Sequence, residues 1–166
     1  MNAKLIVADA GPLIALAVAG VLPMCITMLS GLMVPEAVLH ECTADVSAPG
    51  AAILQSLNQT GQFQIIPSAS LMPLDAAYAQ GLGGGEIAVL SYASQNSLLA
   101  LVDERRARRV ATRLGVAVVG SGTIIAQLKR QGLIESVKPV LSSWQQHGYF
   151  VSELVLRDIL RMAQEL

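Results

Sequence analysis

The sequence predicts an α/β fold built on a mostly parallel sheet, and two observations carry that expectation. Five short, nearly continuous apolar runs recur at residues 5–8, 31–34, 63–66, 98–102 and 116–119. Runs of that kind suit strands buried on both faces. Between them lie stretches of helix length with their own start signals, and strands that alternate with helices pair in parallel. There is no internal repeat, low-complexity segment or linker. One domain over residues 1–166 is therefore expected, long enough to bury a real core.

Leu5-Ile6-Val7-Ala8 reads as the first strand, and Ala10-Gly11-Pro12 opens a helix, since proline is tolerated in a first turn. Pro23 opens a second short helix. Gly31–Val34 is the next strand, and Pro35 begins a helix carrying Glu36, His40 and Glu41. A helix over Ala51–Asn58 leads to the strand Phe63–Ile66; in the loop that follows, Asp75 suits a helix cap. A helix from about Gly85 to Gln95 precedes the strand Leu98–Val102. A basic helix then runs to Leu114, followed by the strand Val116–Val119 and a helix from Ser121 to about Gln131. Two further helices follow Ser136, with their break at Gly148.

Apolar residues make up 53% of the chain and charged residues only 14%, so an acid in an apolar context is more informative than usual. Net charge is −1, which gives no global electrostatic case for nucleic acid; any basic surface must be local. Cys25 and Cys42 lack metal-ligand spacing and read as small buried side chains in a reducing cytoplasm. Ala10–Pro35 holds no charged residue and is long enough to span a bilayer. Gly11, Pro12, Gly20, Pro23 and Gly31 cut it into pieces, and it lacks aromatic or basic flanks, so no membrane span is expected. A signal peptide fits poorly, because Asp9 interrupts the apolar stretch and only Lys4 precedes it.

Parallel α/β sheets place their chemistry beyond the carboxyl ends of the strands. Asp9 and Asp103 each follow an apolar strand by one residue, so both should emerge there and converge if the strands are neighbours. Each also suits a helix cap. Glu41 shares a helix face with Val34, Ala37 and Val38, whereas Glu36 and His40 form an i, i+4 pair on another face. A glutamate on an inward face is costly without a cation; at the rim of that face it would sit in water. Glu86 points the way Val89, Leu90 and Ala93 point, although the helix dipole alone favours an acid in a first turn. Four carboxylates so placed repel unless a divalent cation joins them. Hard oxygen donors without a cysteine or histidine cluster indicate Mg²⁺ or Mn²⁺, a site suited to phosphodiester hydrolysis.

Arg105, Arg106, Arg108, Arg109 and Arg113 place five of the eleven basic residues within nine positions, beside Asp103. They read either as a solvated face laced by Glu104 and Arg108 or as a rail for a polyanion backbone, which Lys129 and Arg130 could extend. With one tryptophan, three tyrosines and two phenylalanines, a dedicated single-strand stacking platform is not expected. The run Gly81–Gly85 raises a nucleotide-binding alternative, but no Lys-Ser/Thr follows it and no strand immediately precedes it. An aspartyl phosphatase with Asp9 as nucleophile is disfavoured, because the residue two later is Gly11 and not an acid.

Taken together, VADAGPLIALAVAGVL, VPEAVLHE, GLGGGEIAVL and LVDERRARRVATRLGVAVVGSGTIIAQLKRQGLI, in that order, resemble the PIN-domain family over nearly the whole chain. PIN domains are ribonucleases typical of prokaryotic toxin–antitoxin pairs, and the resemblance is to a branch carried as a domain of unknown function. It implies a three-layer α/β/α sandwich and Mg²⁺- or Mn²⁺-dependent cleavage of RNA, with the acidic positions falling on Asp9, Glu41, Glu86 and Asp103. The third acid is usually Asp in better-studied members; Glu86 here displaces the carboxylate by a methylene. The resemblance also implies a homodimer and an antitoxin protein bound across the acidic groove, for which the apolar N-terminal half offers a surface. A non-catalytic PIN-like module that acts through protein partners is the alternative.

Overall fold

A computed structural model describes residues 5–166; Lys4 lies outside the described residues. Five strands, β1 (Leu5–Ala8), β2 (Gly31–Pro35), β3 (Gln64–Ile66), β4 (Leu99–Leu101) and β5 (Val118–Val119), form one sheet in the order β3-β2-β1-β4-β5. Every pairing is parallel. Parallel neighbours require crossover connections, which are helical here. These are α1 (Ala10–Val18), α2 (Leu22–Met28), α3 (Glu36–Thr43), α4 (Ala51–Gln59), α5 (Ala76–Ala79), α6 (Gly84–Asn96) and α7 (Arg105–Leu114). After β5 come α8 (Ser121–Arg130), α9 (Lys138–Gln146) and α10 (Glu153–Met162). The result is the three-layer α/β/α sandwich.

Three strands, β3, β4 and β5, are shorter than the apolar runs that announce them, and for β4 and β5 the late start has one reason. The amide of Val116 closes α7 by bonding the Ala111 carbonyl at 2.8 Å, across Gly115 in the left-handed region (φ 72°). The amide of Leu98 likewise bonds the Ala93 carbonyl at 3.0 Å, after Ser97 at φ 52°. Both apolar residues therefore belong to a helix stop, with pairing beginning beyond them.

The apolar N-terminal half is core. Leu13, Leu16, Leu22 and Cys25 are buried, and Trp144 seals α9 onto α1 by donating its indole N–H to the Ala15 carbonyl at 2.9 Å. The packing of these helices buries most of that hydrophobicity; exposed large apolar side chains occur in both halves of the chain, Val46 and Met72 as well as Phe150, Leu154, Val155 and Met162. Among the described residues no single helix is long and apolar enough to cross a membrane; α1 and α2 pass together on length and composition but are bent by 114°. Both cysteines are free, and burial pushes each thiol up to about 12, so they stay protonated.

The strand order reverses direction between β1 and β4. In open parallel sheets that switch point opens a crevice beyond the strand ends. Ala8 pairs with Leu101, and the Asp9 amide continues the ladder to the Leu101 carbonyl at 3.0 Å. Asp9 and Asp103 thus emerge side by side.

Candidate active site

A cleft of about 430 Å³ at the switch point is lined by Asp9, Glu41, Glu86 and Asp103, together with Gly83, Glu104, Tyr149 and Phe150. The four acids come from the end of β1, the last turn of α3, the first turn of α6 and the end of β4. Neither aspartate caps the following helix. Asp9 makes no side-chain cap bond to α1, and α7 is capped by Glu104, whose carboxylate accepts from the Ala107 amide at 2.9 Å. Glu104 is thereby occupied along the backbone instead of lacing to Arg108.

Asp9 is the buried member, 6% exposed. Burial lifts its carboxyl to about 6; the Ala10 amide offsets this in part, and the charges of Glu86, Glu41 and Asp103 push it further up. Desolvation disfavours the charged form, and like charges nearby disfavour it again.

Glu41 approaches Asp9 across Gly85. A Cβ built at Gly85 would lie 2.9 Å from Glu41 Oε2, 3.2 Å from Val38 Cγ2 and 3.7 Å from Asp9 Oδ1. The missing side chain is what leaves room for both carboxylates beside the start of α6. The inward-face expectation for Glu41 needs correction, because the residue is exposed. The helical wheel gives its direction correctly, but α3 ends at Thr43, so the last turn overhangs the rim of the cleft and lies outside the core. His40 is exposed as expected, and Glu36 turns away from it to accept the Ser68 amide at 2.8 Å.

The Glu86 carboxylate reaches back to accept the Gly83 amide at 3.0 Å, the one half of a capping box open to a helix whose N-cap is glycine. Its Oε2 is thus committed to the glycine-rich loop. Asp103 is held more tightly. Oδ1 accepts the Ser121 amide at 2.8 Å, and Oδ2 accepts the Ser121 hydroxyl at 2.6 Å and the Tyr149 hydroxyl. Gly120 permits this approach, since a Cβ there would stand 3.0 Å from Asp103 Oδ1. Among the described residues, no group of three or more His, Cys, Asp or Glu side chains is arranged as a ready-made metal site. The acids share a cleft, with two of them tied to protein donors.

The arginines divide between two sides of α7. Arg105, Arg108 and Arg109 line a second groove of about 620 Å³ that begins at Asp103 and runs between α7, the start of α8 and α10. Arg108 also donates to the Val102 carbonyl at 3.0 Å. On the other side, Arg106 donates to the Gly81 carbonyl at 3.0 Å, and the Arg113 guanidinium lies 4.9 Å from the Tyr78 ring centroid. A single continuous rail is therefore corrected to a groove of three arginines and a pair that braces the α5–α6 connection. Nor does Lys129 extend the rail, because it pairs with Glu165 at 3.0 Å.

Ser121, Tyr149 and Phe150 are site-lining residues that the sequence reading passed over. Ser121 obeys the rule that singled out the aspartates, standing at a helix start just beyond a strand. Tyr149 and Phe150 follow the helix-breaking Gly148 (φ 75°), which marks the break but not the direction in which the two rings point.

No curated protein matches the chain. A family model described as a PIN domain matches residues 5–165. PIN domains are generally nucleases and typically use divalent metals, and the parallel sheet with acids gathered at its switch point is the corresponding nuclease-like fold. The chain belongs to the PIN-domain family.

Proposed function

We propose that this protein is a divalent-metal-dependent endoribonuclease that hydrolyses RNA phosphodiester bonds. One observation carries the reading: four carboxylates from four separate segments line one cleft, and the most buried of them, Asp9, is held up to about 6 by burial and by the other three. Carboxylates left to repel one another cost stability, and a hard cation removes that cost.

The donors fit Mg²⁺ or Mn²⁺ in kind, all being carboxylate oxygens. Asp9 and Glu41, brought together across Gly85, would hold the ion, with Asp103 and Glu86 completing the set from their hydrogen-bonded positions. When bound, the ion supplies an activated water and charge neutralisation at the phosphate. The chain's own residues do the positioning. Ser121 and Tyr149 fix the Asp103 carboxylate, Glu86 fixes the glycine loop, and Arg105, Arg108 and Arg109 attract the substrate backbone beside the cleft. The family resemblance further supports the toxin role in a cytoplasmic toxin–antitoxin pair, with an antitoxin protein and a homodimer as partners.

The deciding experiment is an RNA cleavage assay with and without Mn²⁺, comparing wild type with Asp9→Asn and Asp103→Asn. Metal-dependent cutting that both substitutions abolish supports the reading; cutting that survives them overturns it.

A second reading, a non-catalytic PIN-like binding module, is favoured by the commitment of Asp103 and Glu86 to protein donors and by the lack of a preformed metal cluster among the described residues. It is supported if Mn²⁺ leaves the melting temperature unchanged and RNA is bound or ignored but never cut.

A further inference from the structure

The acidic cleft and the arginine groove meet at Asp103, Tyr149 and Phe150, which line both. The local chain explains what Phe150 does there. Tyr149 is drawn inward by its bond to Asp103 and by the Trp144 ring, 5.3 Å away between centroids. Val151 also packs against the core. Between these two inward neighbours Phe150 is turned out and is 90% exposed. Scattered exposed apolar residues are normal on protein surfaces. A whole phenyl ring at the junction of a carboxylate cleft and an arginine groove is a more specific arrangement.

We infer that a single-stranded RNA segment crosses this junction, stacking one unpaired base on Phe150 while Arg105 and Arg109 take the adjoining phosphates. This rests on the nuclease reading of the acidic cleft and assigns Phe150 as the residue that seats a base beside it. Three features support RNA over a peptide. The groove wall on α7 carries three arginines, and the only acid of α10 that faces it, Asp158, is paired with Arg161 at 2.8 Å. The groove is continuous with the cleft in which a phosphodiester would be cut. Its volume, about 620 Å³, lies within the roughly 300–1,000 Å³ of sites that hold small organic groups. A paired base has its faces covered by its neighbours in the helix, whereas an unpaired base presents a free π-face to an aromatic ring. The stack therefore selects unpaired RNA.

The test is binding without chemistry. Fluorescence anisotropy in EDTA, with the full chain, measures affinity for three fluorescein-labelled probes: a short oligoadenylate, an abasic strand of the same length, and an RNA duplex. Phe150→Ala should weaken oligoadenylate binding roughly 5- to 100-fold and leave the abasic strand and the duplex unaffected. Phe150→Trp should restore the affinity. Thermal unfolding of Phe150→Ala is expected to match wild type, because the ring is almost wholly exposed. The proposal is overturned if Phe150→Ala binds oligoadenylate like wild type, if the abasic strand loses as much as the oligoadenylate, or if wild type binds none of the three probes. Failure of the nuclease reading is seen elsewhere, in the Mn²⁺ cleavage assay. Phe150-dependent binding without cleavage keeps the stacking site on a non-catalytic protein, and cleavage without Phe150 dependence removes this site alone.

Discussion

The hydroxyl of Tyr149 donates to Oδ2 of Asp103, joining residues 46 positions apart, and Ser121 grips the same carboxylate from the head of α8. A carboxylate held by three donors keeps its orientation whether or not anything is bound. Tyr149→Phe removes one of those donors and nothing else. It should cost about 1–3 kcal/mol, as expected for a hydrogen bond to a charged acceptor, measured by urea denaturation. Burial, followed by the charge of Asp103 and its hydrogen bond, raises the Tyr149 phenol above the usual tyrosine range. Spectrophotometric titration should therefore show one of the three tyrosines ionising late, and that late step should vanish in Tyr149→Phe.

Asp9 makes the metal-free protein sensitive to pH. Its carboxyl is lifted from 3.8 to about 6 in the folded chain, so the folded state holds the proton more tightly than the unfolded state. The associated stability is fully present below about pH 4 and is lost as pH rises through 6, an upper bound of roughly 3 kcal/mol. In EDTA the melting temperature should fall over that window, and Asp9→Asn should flatten the fall. Added Mn²⁺ should raise the melting temperature more at pH 7.5 than at pH 5, since protons and cation compete for the same oxygens.

Glu86→Gln separates capping from charge. Glutamine also serves at the third position of a capping box, so stability in EDTA should be little changed. With the charge gone, the Mn²⁺-induced rise in melting temperature should shrink. An unchanged rise would make Glu86 a cap only.

Gly85→Ala places a methyl 2.9 Å from Glu41 Oε2 and 3.2 Å from the buried Val38. Glu41 can swing away and Val38 cannot. The substitution should cost about 1–3 kcal/mol through overpacking and weaken metal binding more than stability alone explains, as read by metal titration on folded protein.

The two sides of α7 should differ in their salt response. Replacing Arg105 or Arg109 by Ala should reduce the slope of log affinity for single-stranded RNA against log salt by about 0.7 each. Arg106→Ala should leave that slope unchanged, because its guanidinium is engaged with the Gly81 carbonyl; its effect should appear as faster hydrogen exchange in the α5–α6 loop.

What the sequence made legible was the sheet and the position of its acids. Short apolar runs such as Leu5–Ala8, followed at once by turn signals, suit buried parallel strands, and an aspartate just beyond each of two neighbouring strands lands at the switch point. Depth was less legible. The periodicity that aimed Glu41 inward carries no information about where α3 ends relative to the core. The partners of Asp103 were not legible at all, because Tyr149 reaches it only through the packing of α9, which Trp144 anchors to α1. The arginine cluster was visible as composition, but its division depended on what α7 faces, namely Gly81 and Tyr78 on one side and α10 on the other.

The grip on Asp103 has a consequence for the order of synthesis. Asp9, Glu41 and Glu86 are all made early, yet the fourth acid is settled only after Ser121 and Tyr149 have been added. Chains are made from the N-terminus, and long-range contacts form late. A ribosome-bound chain that stops at the end of α7 would carry every acid of the cleft and the whole arginine cluster, with Asp103 still loose. The cleft is therefore completed only once the segment carrying Ser121 and Tyr149 has been made and has folded back onto Asp103.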